Sequence, residues 1–336
     1  MPRRPAPPSG AGRPRRRRAV DAAASAVRLS ERRKVGRLRS TLVQPATLRA
    51  YTTACVWFFM LGIDYGDDVW DLDAAVGDAI ELAWDSGLSR ALVGNLICGL
   101  EHFVNPLRGK LKESWRLWKV WGQREVPSRA PPLSGRATLA ICWYMWVWGY
   151  PVAAVLTYLG FNRFMRTMEF LGLRVSQLTF GRGKVHIGLA ASKGAQRRGT
   201  VEGVTVDDPW LVKQLRRCCS ALWPGDLIMP ITSRQYRALF DAAIRGLGLT
   251  PDFKPYSLRR GGASQHFQRT GNMDVTMEIG RWGNVQTAKT YVNVALMDLF
   301  TIQRLETPIV GAAADAFIEH VVLGDGTTWR AAARTP

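Results

Sequence analysis

The sequence predicts a mainly α protein with a small antiparallel β-sheet (α+β), arranged as a helical N-terminal domain followed by a mixed second domain. Three observations carry this. The chain has 336 residues, 47% of them apolar, which is enough for two buried cores. Segments with helical apolar spacing lie on both sides of residues 126–136, whose VPSRAPPLS run reads as an extended linker. Within the second half, three short β-branched runs are joined by GRG and SKGAQRRG, compositions suited to hairpin turns.

In chain order, residues 1–40 form a basic arm. Its first 18 residues are rich in Pro, Gly and Arg and hold too little apolar surface to offset the entropy of ordering. A helical domain is expected over 41–125. Its helices run from Gln44 to Leu61, with Pro45 in the first turn, from Asp73 to Ser86, acidic on the exposed side, from Leu88 to Val104, and from Pro106 to Gly122. The second domain, 137–305, opens with helical sequence over 138–172. Strands Leu178–Phe180, Val185–Leu189 and Thr200–Val206 follow, then helices Pro209–Leu222, Arg234–Leu247, Ser257–Thr270, Val275–Arg281 and Val285–Ile302. The tail, 306–336, carries one more apolar run, 312–323, as a candidate docking helix for a neighbouring copy.

Net charge is +19, which favours polyanionic partners, nucleic acid first and an anionic membrane surface second. Residues 1–40 hold thirteen Arg and Lys against two acids, a surplus of +11, and the other 296 residues carry +8. Arg15 to Arg18 read as a nuclear-import or phosphate-binding patch, whereas the Ala/Ser/Arg-rich stretch after them also fits an organellar transit segment. If the chain is not eukaryotic, a cytoplasmic location is expected. Eight acids fall between Asp64 and Asp85, whereas Arg108, Lys110, Lys112, Arg116, Lys119 and Arg124 crowd the last helix of the first domain. Trp115, Trp118 and Trp121 recur there at three-residue spacing, so they form its buried stripe and leave the cations outward, along a phosphate backbone or in plain solvent.

Other classes recede on composition. The five cysteines have no C-x-x-C spacing, so neither a disulfide framework nor a zinc site is expected. The uncharged run from Ala137 to Asn162 has the length of a membrane span, but Gly149-Tyr150-Pro151 interrupts it and Trp143, Trp146 and Trp148 lie centrally. Two buried helices are expected instead, and no membrane partner.

Several second-domain motifs combine into one chemistry. FNRFMRTMEFLGLR, residues 161–174, places Arg166 three residues before Glu169. YSLRRGGASQHF, residues 256–267, carries Arg259 and Arg260. IGRWGNVQTAKTYV ends with Tyr291 nine residues after Trp282. Metal-free cleavage of a phosphodiester needs a nucleophile, cationic donors for the developing phosphate charge, and an acid for the leaving oxygen. Arginine's planar fork suits the nonbridging oxygens.

Taken in this order, the motifs resemble those of the tyrosine recombinase (phage integrase) family of DNA breaking-rejoining enzymes. The SLRRGGA wording is similar to recombinases of eukaryotic mobile elements. The resemblance implies a helical core-binding domain followed by the tyrosine-recombinase catalytic domain, the two gripping double-stranded DNA from opposite sides. It implies Tyr291 as nucleophile, Arg166 and Arg259 as phosphate clamp, Glu169 as the orienting carboxylate and Trp282 at the family's His/Trp position. Lys193, in the predicted hairpin turn, matches the mobile lysine acid, with Arg197 and Arg198 beside it as further DNA contacts together with Arg260. Neither metal, ATP nor another cofactor is implied, and a dimer or tetramer on DNA is. One departure stands out: Tyr256 occupies the place of the family's usual His, and a phenol titrating at about 10 is a poor proton shuttle at neutral pH. Two other readings therefore stand beside the recombinase. One is a recombinase with decayed chemistry that keeps its DNA clamp; the other is a type IB topoisomerase-like enzyme that relaxes a single duplex.

Overall fold

The computed structural model describes residues 29–30, 32–33, 42–125, 129–189, 202–250, 252–292 and 307–324. The expectations for most of the basic arm, for the hairpin turn with Lys193, Arg197 and Arg198, and for residues 293–306 lie outside the described residues. The chain divides into two compact units, residues 1–128 and 129–336. Both are largely helical, and the second carries a small antiparallel sheet.

Between residues 42 and 125 the first unit packs the helices α1 (Pro45–Met60), α2 (Val69–Asp85), α3 (Arg90–Phe103) and α4 (Lys112–Arg124). Helix α2 starts four residues earlier than its apolar spacing predicts, because Asp68 accepts from the N–H groups of Trp70 and Asp71 at 2.7 and 2.8 Å and so caps it. The segment expected as one helix from Pro106 is broken. A 3₁₀ turn at Asn105–Leu107 is followed by Gly109 at φ 73°, and α4 begins only at Lys112. Asp73, expected on an exposed acidic face, is buried instead. Its carboxylate accepts from the Glu113 and Ser114 N–H groups at 2.9 and 3.0 Å and from the Ser114 hydroxyl at 2.5 Å, so α2 caps α4 from a distance in sequence. The tryptophan stripe turns inward as expected. Trp121 is buried with Phe58, Ile80 and Leu96, and Trp115 and Trp118 pack against that core. Arg90 lies over the Trp118 ring at 3.7 Å.

The second unit is built on α5 (Gly135–Val147) and α6 (Pro151–Asn162), which pair across the turn at Gly149, φ 84°. Among the described residues no helix is long and apolar enough to cross a membrane. Short helix α7 (Thr167–Leu171) leads into β1 (Leu178–Phe180), β2 (Val185–Gly188) and β3 (Gly203–Val206), ordered β1-β2-β3 and antiparallel. Val185, Ile187, Val204 and Val206 alternate inward to the core. Then come α8 (Pro209–Cys219), capped by Asp208, and α9 (Ser233–Gly246), capped by a reciprocal Thr232–Gln235 pair. Helices α10 (Tyr256–Thr270), α11 (Met273–Gly280) and α12 (Val285–Lys289) follow, and α13 (Pro308–Phe317) runs into a π-helical turn, Ile318–Leu323.

Helix α10 crosses the unit in unusually close contact. A Cβ at Gly261 would lie 1.9 Å from the Leu133 carbonyl oxygen, and one at Gly262 would lie 2.0 Å from that of Phe161. The glycine pair therefore lets α10 press against both backbones, which seats the preceding Arg259 in the interior.

Two expectations are corrected here. Residues 129–136 do not hang free as linker. The Leu133 N–H donates to Ser257 O at 3.3 Å, the Gly135 N–H to Gln265 Oε1 at 2.8 Å, and Arg260 donates to Ala130 O at 2.5 Å. Arg260 is thus buried as a strap and does not face outward toward DNA. The tail helix docks in cis. Val310, Ala314, Phe317 and Val321 belong to the second unit's core, Arg136 pairs with Asp315 at 3.0 Å, and the Trp210 indole N–H donates to Val321 O at 3.1 Å.

Candidate active site

The second unit brings together residues from four segments. The first is the turn between α6 and α7. Arg166 stands at the N-cap of α7, and its backbone N–H and guanidinium donate to the two oxygens of Glu169 at 2.8 and 2.5 Å. One third of the Arg166 side chain is exposed, whereas Glu169 is buried beneath it. Burial opposes the Arg166 charge, but Glu169 and Glu202 outweigh it and hold the guanidinium above its ordinary value.

The second segment is the first turn of α10. Arg259 is fully buried and donates from its two terminal nitrogens to Phe164 O and to Gly280 O, the latter at 2.7 Å. Phe164 has φ 47°, a left-handed conformation that a bulky residue adopts only under constraint. It turns its carbonyl onto Arg259. Burial, then the charges of Arg281 and Arg166, pull the Arg259 guanidinium down to about 10, still a cation at neutral pH.

The third segment is Gly280-Arg281-Trp282 at the end of α11, and the fourth is the turn after α12 that carries Tyr291. The Tyr291 ring stacks on Trp282 with centroids 4.7 Å apart and planes 26° apart. Arg259 sits 5.0 Å from the Trp282 ring and 5.2 Å from the Tyr291 ring. The indole N–H of Trp282 is buried without a hydrogen-bond partner. Tyr256, opening α10, donates its hydroxyl to the Tyr291 hydroxyl at 2.6 Å. Its own proton is held well above the ordinary phenol value by burial and by that bond. His266 takes no part: its Nδ1 pairs with Thr276 Oγ1 at 2.8 Å.

Six of the seven residues expected at the site, Arg166, Glu169, Tyr256, Arg259, Trp282 and Tyr291, are therefore interlinked, and the seventh, Lys193, lies outside the described residues. Sequence reading missed two others. Arg281, buried and at φ 56°, donates to Glu169 Oε2 at 2.6 Å, and its Nε lies 3.7 Å from Glu202 Oε2 at the edge of β3. A charge wedged between Gly280 and Trp282 was the available signal for Arg281; Glu202 gave none. In the first unit, Arg108, Lys110, Lys112, Arg116, Lys119 and Arg124 are all exposed, and Arg116 pairs with Glu113 at 2.7 Å.

In the second unit two arginines, a carboxylate, a tryptophan and a tyrosine thus meet in one place. Residues 152–297 match the model of the phage integrase family. Solved structures agree in fold. A Tn1549 transposon integrase in complex with transposon right end DNA is 11% identical, with a TM-score of 0.57 over 82% of this chain and 97% of that one. A lambda integrase dimer bound to a COC' core site is 15% identical, with a TM-score of 0.54 over 76% and 74%. No curated protein sequence matches the chain.

Proposed function

We propose that the chain is a site-specific DNA recombinase or integrase that cuts and rejoins duplex DNA through a 3′-phosphotyrosyl intermediate, without metal or ATP. The observation that carries this is the convergence of the Tyr291 hydroxyl, the Trp282 ring and Arg259, with Arg166 and Glu169 alongside. Tyr291 Oη attacks phosphorus while the 5′ oxygen departs and takes a proton, in this reading from Lys193. Arg166 and Arg259 stabilise the charge that develops on the nonbridging oxygens. Glu169 orients Arg166. The unpartnered indole N–H of Trp282 is a ready donor for one of those oxygens. A 5′ hydroxyl from a second strand then attacks the phosphotyrosine and releases Tyr291, so the bond energy is retained.

The exposed cations of α4 and of the turn before it, with Arg197 and Arg198, are assigned to the phosphate backbone. The structural neighbours named above were solved on DNA, one as a dimer, and a dimer or tetramer on DNA is the proposed working form. The basic arm, residues 1–40, joins the helical domain at 41–125 as DNA-contacting sequence in this scheme.

Incubation with nicked suicide duplexes drawn from the gene's flanks tests the reading: a covalent protein–DNA adduct is expected from the wild-type chain and none from Tyr291→Phe. The Tyr256 hydroxyl at the nucleophile favours a second reading, a clamp whose chemistry has decayed. Tight duplex binding with no wild-type adduct would establish that one. Relaxation of a supercoiled plasmid without strand exchange would point to the topoisomerase-like reaction instead.

A further inference from the structure

We propose that Arg281 is a positioning residue for strand cleavage, holding Glu169 and Glu202 together so that the tripeptide Gly280-Arg281-Trp282 aligns both arginines and the tyrosine. The inference rests on the recombinase reading and adds a residue to it. Gly280 O accepts from Arg259. The Arg281 guanidinium donates to Glu169, which in turn holds Arg166 through two hydrogen bonds. Trp282 carries the Tyr291 ring on its face. Three consecutive residues thus touch Arg259, Glu169 and Tyr291 directly, and reach Arg166 through Glu169.

The side chain of Arg281 is what fixes this tripeptide in place. It is 6% exposed, as are the carboxylates of Glu169 and Glu202, so the two acids share a buried cation contributed by a segment distant from both in sequence. Burial pulls the Arg281 guanidinium down from its ordinary value, against the support of the two carboxylates. Its backbone holds φ 56°, a conformation that glycine adopts freely and that a long side chain adopts at a cost. A residue kept in that conformation with a buried charge is over-determined by its surroundings, and here the surroundings are the site.

The backbone conformation also supplies a clean test, since Arg281→Gly suits φ 56° and removes only the side chain. In the full chain, single-turnover adduct formation on the suicide duplex is expected to fall about 100-fold, the cost of misplacing reacting groups by about 1 Å, with duplex affinity unchanged. Arg281→Lys keeps the charge and should recover part of the rate. Adding Glu202→Gln to Arg281→Gly removes a buried carboxylate left short of its cation, and should raise both the cleavage rate and the urea midpoint above those of Arg281→Gly alone. A wild-type rate in Arg281→Gly overturns the proposal. So does a double variant no better than the single in either measurement, since plain packing loss is not repaired by neutralising Glu202. A wild-type chain that forms no adduct sinks the recombinase reading instead, and the urea comparison still decides whether Arg281 holds the two acids.

Discussion

Tyr256 is where this site departs from the motif pattern that it otherwise resembles, and the structure gives that departure a chemical form. Its hydroxyl donates to Tyr291 and is held above the ordinary phenol value. The donor is the protonated form, present at every pH below its raised folded value, so position 256 adds no limb to the cleavage profile between pH ~6 and ~9. Tyr256→His is expected to introduce a rate dependence centred near pH ~6.5, read by adduct formation across that range. An unchanged flat profile in the histidine variant would show that position 256 exchanges no proton with the reaction. Arg259→Lys is expected to cut cleavage by at least about 100-fold, because a single ammonium cannot hold two carbonyls and still face a phosphate. The grouping of Arg166, Arg259 and Tyr291 was legible in sequence from their motifs and order. Arg281 and Glu202 were not, since nothing local shows that residues 79 apart share one buried charge.

At the scale of elements, α10 depends on close backbone approaches and α4 on a buried side-chain cap. In α10 the glycine pair admits the carbonyls of Leu133 and Phe161. Gly261→Ala is expected to destabilise the second unit by about 3 kcal/mol, as over-packing against a backbone allows little relaxation, measured by urea unfolding. In α4 the buried carboxylate of Asp73 satisfies two N–H groups and a hydroxyl. Asp73→Ala should cost the first unit about 2 kcal/mol, combining a lost cap with unsatisfied buried donors; an unshifted first-unit transition would refute that role. Helix existence was readable from apolar periodicity for nearly every element. The early start of α2 and the split before α4 were not, because capping by Asp68 and the φ of Gly109 decide them, and the acidic run masked the one carboxylate that turns inward.

Across the whole molecule, charge sets the expected response to salt. If Lys112, Arg116 and Lys119 contact phosphates, replacing all three by Gln should reduce the slope of log affinity against log salt by about 2.7, at about 0.9 per phosphate contact. A fluorescence titration from 50 to 200 mM salt reads it, and a slope unchanged by the triple variant would return α4 to an ordinary solvated face. The tail was expected to seek a neighbour, yet α13 completes its own unit's core. Phe317→Ala should therefore cost the isolated chain about 3–5 kcal/mol.

The sequence by itself determined the helical character of both units and the order of the candidate site residues, because apolar periodicity and the motifs are written in residue type and spacing. Only the tertiary structure decided which charges are buried and what they touch. Arg260 became a strap on Ala130, the tail became core, and Arg281 became the cation between Glu169 and Glu202. The physical reason is the same in each case: burial and pairing depend on which distant backbones meet, and that is a property of packing rather than of any local stretch of chain.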